Sequence, residues 1–222
     1  MVIIIKPICY VIGASDTDEI YIDKNKECFI IAADGGLKTL NKQGITPDII
    51  VGDFDSLGYK PEGKNVIYHK PEKDDTDTML AVNEGLERGF DTFILYGCMG
   101  GRFDHTFGNI QVLGYIAEKG AHGFIISGRQ IITVIKNSSI SLMPYEEGYI
   151  SVISLMGTAY GVTEKGLKYS LDNAKLEPFT TLGISNEFTG KTATISVEDG
   201  VLAIMWNSSA ENMINNYLNP KK

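Results

Sequence analysis

The sequence predicts an α/β domain with a mostly parallel sheet over residues 1–136, followed by an all-β sandwich or barrel-like domain over residues 137–222. Three observations predict it. Up to about Lys136, short β-rich runs alternate with segments of helical period, the pattern of a parallel sheet with crossover helices. Beyond about Asn137, short β segments follow one another between Gly, Asn and Pro turns, with no long helical period until the terminus. The 222 residues, 43% hydrophobic and 22% charged, have the balance of an ordinary globular chain and suffice for one large or two modest domains.

The first-half strands are read from VIIIKPICYVIG, CFIIAA, DIIVG, NVIYH, TFILYG and GFIIS, apolar runs bounded mostly by Gly, Asp or Pro. Between them LKTLNKQG, TMLAVNEGLERG and HTFGNIQVLGYIAEKG repeat apolar residues at three- and four-residue spacing and end on glycine, as helices do. In the second half YISVISLM, TATISV and VLAIMW read as strands, and ENMINNYLNPKK as a short helix or a frayed tail. The boundary near ITVIKNSSISL is soft by several residues, because periodicity locates elements better than their edges.

Composition excludes several classes. No run approaches the roughly 18 apolar residues of a membrane span, and the opening lacks the basic lead of a signal peptide, so no membrane partner is expected. A net charge of -8 argues against a nucleic-acid partner, which calls for a basic face. The cysteines Cys9, Cys28 and Cys98 form no CxxC pair and are odd in number, which speaks against zinc sites and disulfides and for a reducing cytoplasm.

Parallel sheets bind ligands outside the carboxyl ends of their strands, so polar clusters just after strands carry the functional signal. In PDIIVGDFDS a strand runs into Asp53, Asp55 and Ser56. If the backbone stays extended, Asp53 and Asp55 share a face, and a divalent cation relieves their repulsion; Mg²⁺ suits carboxylates combined with substrate phosphates. A solvated Asp-rich turn is an equally good reading of DFD alone. KPEKDDTDTMLAV places Asp74, Asp75 and Asp77 at a helix start with Lys73 and Thr76 beside them. One or two of these aspartates are explained by capping and the helix dipole; three in four positions exceed that need, and Lys73 can meet a phosphate.

ILYGCMGGRFDHTFGN ends a strand in glycines and opens a helix with Arg102, Asp104 and His105. Arg102 offers a charge-assisted grip on phosphate, while Asp104 has three open roles: helix cap, orienter of Arg102, or metal shell. His105 is read as structural. AADGGLKTL adds Asp34, Gly35 and Gly36 at a further strand end. With no P-loop, GxGxxG or GxSxG pattern, the usual nucleoside triphosphatase, dinucleotide and hydrolase sites are disfavoured.

Taken in order, ADGG, GDFDS, DDTD and GGRFDH resemble the thiamine pyrophosphokinase family, and GLKY, LDNA and TLGISNEF resemble its bacterial members. The resemblance spans nearly the whole chain. It implies ATP and thiamine as substrates, AMP and thiamine diphosphate as products, and a homodimer with active sites at the subunit interface. It implies Mg²⁺ on Asp53, Asp55 and Asp77, with Asp34, Arg102 and Asp104 around the same phosphates. Nucleotide-side contacts are expected from Asp34, Gly35, Gly36, Ser56, Lys73, Asp74, Thr76 and Arg102. Ser185 and Asn186 match a pair that lies near thiamine, reaching across from the partner subunit. Where animal and fungal members place a tryptophan to stack on thiamine, this chain has Ala203, and its single tryptophan, Trp206, reads as core.

These readings lead to diphosphate transfer driven by positioning and charge neutralisation. The rival from another class is a non-catalytic Mg-nucleotide or small-ligand binding protein.

Overall fold

The computed structural model of the chain describes residues 7–17, 19–23, 27–70 and 74–218. Two compact units divide it, Met1–Gly128 and Arg129–Lys222. The sequence places the change of pattern near Asn137; the units divide earlier because the strand before that point pairs along its whole length with a strand near the C-terminus.

In the first unit the order is β1 (Ile8–Ile12), β2 (Cys28–Ala33), α1 (Gly36–Lys42), β3 (Ile49–Gly52), β4 (Val66–Tyr68), α2 (Asp77–Glu87), β5 (Thr92–Tyr96), α3 (Phe103–Glu118) and β6 (His122–Ser127). Residues 1–6 of the predicted first strand lie outside the described residues. The strands lie in the order β6-β5-β1-β2-β3-β4, and the described pairings are parallel. β1 and β5 are buried at every position, which is why their sequences are unbroken apolar runs and not alternating ones. From β1 the chain moves outward through β2, β3 and β4, then returns to place β5 on the other side of β1. The sheet therefore reverses its winding between β1 and β5, and the crevice at such a reversal is where open α/β sheets bind ligands.

Close backbone packing shapes that crevice. The Gly13 N–H donates to the Tyr96 carbonyl at 2.7 Å and the Ser15 N–H to the Gly97 carbonyl at 3.0 Å, so the segments leaving β1 and β5 run side by side. Gly97 has φ +62°, and a Cβ there would stand 2.5 Å from the Gly13 carbonyl oxygen, so only glycine fits.

The second unit contains β7 (Gln130–Lys136), β8 (Ser139–Leu142), β9 (Tyr149–Ser154), β10 (Ala159–Lys165), β11 (Leu171–Leu176), β12 (Asn186–Glu187), β13 (Ala193–Ser196), β14 (Val201–Asn207) and α4 (Ala210–Leu218). Its described pairings are antiparallel and run in two series, β12-β9-β14-β7 and β11-β10-β13-β8. β8, β9 and β13 alternate buried with more exposed residues, the period-two signature of a half-buried strand. Strand pairing over the chain is thus mixed. The expected mostly parallel sheet describes pairing within the first unit only, because the later strands follow one another through short turns that favour antiparallel neighbours. Among the described residues no helix is long and apolar enough to cross a membrane.

Candidate active site

A cleft of about 380 Å³ opens at the carboxyl ends of the first unit's strands. Asp34 enters it after β2, Thr76 and Asp77 at the start of α2, and Asp104, His105 and Asn109 from α3. Three of the four polar clusters singled out in the sequence therefore share one cavity. Asp53 and Asp55 come to the same place through Asp34. The carboxylates of Asp34, Asp53 and Asp55 approach so closely that one oxygen from each lies within 4.8 Å of the others.

Local backbone geometry produces this convergence. Asp53 and Asp55 do not meet through extended strand alternation as expected. Phe54 adopts a left-handed conformation at φ 66°, a 3₁₀ turn follows over Asp55–Leu57, and the Asp55 N–H donates to Asp53 Oδ1 at 3.2 Å. Phe54 is buried, which offsets the cost of its left-handed backbone by locking the ring into the core. Asp34 is also left-handed, at φ 46°, and is held by its N–H donating to the Val51 carbonyl at 2.8 Å. Gly35 and Gly36 are buried beneath it, and a Cβ on Gly36 would lie 1.9 Å from the Ile12 carbonyl oxygen. These glycines let α1 start directly against β1.

Asp34 is 7% exposed, and its buried Oδ1 has no hydrogen-bond partner among the described residues. A buried carboxylate oxygen left without a donor is costly. Two more carboxylates beside it add repulsion, so the group suits a hard divalent cation with oxygen ligands. The metal ligands that the resemblance implies are Asp53, Asp55 and Asp77. The structure groups Asp34 with Asp53 and Asp55, while Asp77 lies outside that group and lines the cleft from α2.

At the start of α2 the cap is Thr76, not an aspartate: its hydroxyl oxygen accepts the Met79 N–H at 3.3 Å, and Asp77 begins the helix. Asp74 and Asp75 are exposed. Lys73 and the side chain of Ser56 lie outside the described residues. At α3, Arg102 is the N-cap residue but makes no side-chain cap. Its guanidinium instead donates from Nε to Asp104 Oδ1 at 3.2 Å and from Nη2 to Asp104 Oδ2 at 2.6 Å. Of the three roles open to Asp104, orienting Arg102 is the one the side chains adopt. The bond to Arg102 holds the Asp104 carboxyl below the usual carboxylate range, and Asp104 in turn raises Arg102.

Among the polar residues of the cleft, sequence reasoning missed Ser15, Thr78 and Asn109. Asn109 Nδ2 donates to the Cys98 carbonyl at 2.9 Å, tying α3 to the turn after β5. Ser15 and Asn109 carry a signal: Ser15 lies three residues beyond the end of β1, and Asn109 lies one helical turn beyond His105 on the same face.

In the second unit Ser185 and Asn186 line a separate concavity of about 190 Å³ with Tyr169, Leu171, Leu182 and Ile184. Ser185 is left-handed at φ 58° and its N–H donates to Ser151 Oγ at 3.1 Å. The side chain of Asn186 is buried and fully engaged. Its Nδ2 donates to Glu164 Oε2 at 2.9 Å and to the Tyr169 carbonyl at 2.7 Å, and its Oδ1 accepts the Tyr169 N–H at 3.0 Å. Ala203 and Trp206 are 1% and 3% exposed, so Trp206 packs in the core as its sequence context implies.

A parallel sheet with an acidic cleft at its winding reversal, no P-loop, and a unit of antiparallel strands define a class of two-unit α/β proteins. Residues 23–125 match the family model of the thiamin pyrophosphokinase catalytic domain, and residues 132–202 match that of the thiamin pyrophosphokinase vitamin B1 binding domain. The chain belongs to the thiamine pyrophosphokinase family. Thiamine pyrophosphokinase of Bacillus subtilis (strain 168) is 33% identical over 190 residues, covering 79% of this chain and 85% of that protein. Thiamin pyrophosphokinase 1 of Caenorhabditis elegans is 27% identical over 178 residues, covering 74% and 73%. The crystal structure of the Bacillus subtilis protein superposes with a TM-score of 0.80 at 28% identity, covering 91% of this chain and 99% of that one.

Proposed function

We propose that this chain is an ATP:thiamine diphosphotransferase, making thiamine diphosphate and AMP. The observation that carries this reading is the convergence of Asp34, Asp53 and Asp55 at the strand ends of a chain whose two halves match the two domains of one enzyme family. The thiamine hydroxyl oxygen attacks the β-phosphorus of ATP, and the bond from that phosphorus to the AMP oxygen breaks.

In this reading Asp34, Asp53 and Asp55 would hold Mg²⁺, and Asp77 lines the neighbouring cleft from α2. A divalent cation there supplies charge neutralisation to the ATP phosphates. The remaining work falls to residues of the polar clusters, of which Thr76, Asp77 and Asp104 line the cleft. Arg102, aligned by its two bonds to Asp104, keeps its other N–H groups for phosphate oxygens. Gly35 and Gly36 keep the backbone close to the ligand, and Asp74, Thr76, Ser56 and Lys73 complete the nucleotide side. The hydroxyl proton of thiamine passes to a carboxylate of the acidic group. Asp104, held in place by Arg102, and the aspartates of the acidic group are the carboxylates within the site that can take that proton.

The first unit thus serves as the nucleotide- and Mg-binding catalytic domain, the second as a β-sandwich that binds thiamine and dimerises. The enzyme works as a cytoplasmic homodimer whose sites draw on both subunits. Co-expression of an Asp53 variant with a Ser185 variant, each inactive alone, restores turnover if each site uses both chains; no recovery argues for sites within one chain.

The activity is tested by incubating the protein with ATP, thiamine and Mg²⁺, with and without chelator, and resolving the products. Equal AMP and thiamine diphosphate, abolished by chelation, are expected. Thiamine monophosphate with ADP would mean single-phosphoryl transfer, and nucleotide binding without turnover would move the assignment to a binding protein.

A further inference from the structure

Glu164 breaks the pattern of its strand. Its neighbours on the inward face of β10 and on the paired β13 are apolar, Val162, Ala193 and Ile195 among them, yet Glu164 is 0% exposed among them. A carboxyl buried on the core face of a sheet costs stability unless it is used. Its Oε2 accepts from Asn186 Nδ2 at 2.9 Å, while its buried Oε1 has no hydrogen-bond partner among the described residues. Since β10 belongs to one strand series and β12, where Asn186 sits, to the other, this bond bridges the two.

Asn186 passes the constraint on. Its amide bonds both the N–H and the carbonyl of Tyr169, at 3.0 and 2.7 Å, in the manner of a paired strand. An asparagine amide turned by 180° would present its oxygen to the Glu164 carboxylate and to the Tyr169 carbonyl, and its NH₂ to the Tyr169 and Glu187 N–H groups, so Glu164 joins these backbone groups in holding the one orientation that fits and is the only side chain among these partners. Tyr169 is 58% exposed and forms a wall of the concavity that Ser185 also lines. No tryptophan is available to face thiamine, since the single one is buried.

We infer that Glu164 is a positioning residue for thiamine binding: through Asn186 it fixes the backbone of Tyr169, and the Tyr169 ring forms the aromatic wall against which the thiamine rings lie. This rests on the diphosphotransferase reading and adds to it the second-unit concavity as the ring subsite. Glu164 touches no substrate. Burial raises its pKa, the Asn186 bond opposing that rise, which agrees with a group placed for its hydrogen bond and not for a solvent-facing charge.

The test is steady-state kinetics of the full chain and its variants with ATP and thiamine. Glu164→Leu should raise KM for thiamine about tenfold, the scale of a buried polar group left unpaired, with kcat and KM for ATP near wild type. Glu164→Gln, which keeps an acceptor for Asn186, should recover most of the thiamine affinity. On a Tyr169→Ala background, Glu164→Leu should add little further change, since both act on the same wall. Asn186→Ala carries the same expectation against Tyr169→Ala and keeps the test open should Glu164→Leu not fold. Unchanged thiamine KM, an equal rise in both KM values, or full additivity with Tyr169→Ala overturns the inference while leaving the activity intact. Wild-type protein that makes no thiamine diphosphate overturns the activity, and this inference with it.

Discussion

The backbone N–H of Asp55 donates to the carboxylate of Asp53 at 3.2 Å, closing a turn in which Phe54 is left-handed and buried. That bond aims two carboxylates at Asp34, 19 residues earlier in the chain by the numbering of Asp34 and Asp53. Asp53 therefore forms the turn and belongs to the acidic group.

Asp53→Asn keeps an oxygen for the turn but removes a charge from the group. Turnover should fall by at least the roughly 10- to 100-fold that even loss of a metal site's outer partner costs, with partial recovery at high Mg²⁺. Mg²⁺ titration of initial rates checks it. Near-normal turnover at ordinary Mg²⁺ would remove Asp53 from the cation site.

The Arg102–Asp104 pair sets a pH expectation. The folded pKa of Asp104 is lowered, so its contribution is present above the unfolded carboxylate pKa and is lost as pH falls through the folded value. The pair is exposed, with side chains 71% and 64% accessible, so stability should barely respond. Carboxyl NMR titration should place Asp104 below the usual range and return it there in Arg102→Leu; an unmoved Asp104 would mean the pair does not form in solution.

Thr76→Ala removes the acceptor for the Met79 N–H and should destabilise the first unit by about 1 kcal/mol, with Thr76→Ser near neutral. Urea unfolding measures the difference. No change would show that water or a neighbouring aspartate caps α2 as well.

At Gly36 any side chain meets backbone, since a Cβ would lie 1.9 Å from the Ile12 carbonyl oxygen and 2.6 Å from its carbon. Backbone has no rotamer with which to yield. Gly36→Ala should cost at least about 3 kcal/mol or prevent folding, measured by thermal unfolding and soluble yield.

Burial pushes the Cys98 thiol up to about 12, and raises Cys9 still further. Cys28 is only half-buried, with a raised thiol pKa for the same leading reason. Native alkylation at pH 8 followed by mass spectrometry should label Cys28 first, and Cys9 and Cys98 only after unfolding. Early labelling of Cys98 would mean that the turn after β5 opens readily.

The sequence by itself determined the element types of the first unit, the placing of acidic clusters after strands, and the family. Apolar period and Gly or Asp boundaries are local properties: ADGG and GDFDS stand at the ends of β2 and β3, and DDTD and GGRFDH lead into α2 and α3. Tertiary structure decided which of those aspartates meet. Asp34 joins Asp53 and Asp55 because β2 and β3 are neighbours in the sheet and their following residues turn left-handed, while Asp77 stands on a helix beyond the group. It likewise decided that Thr76 caps α2, that Asp104 holds Arg102, and that Asn186 turns inward to Glu164. Each of those outcomes depends on strand order, on φ sign or on which face a strand buries, and none of these is written in the spacing of residues along the chain.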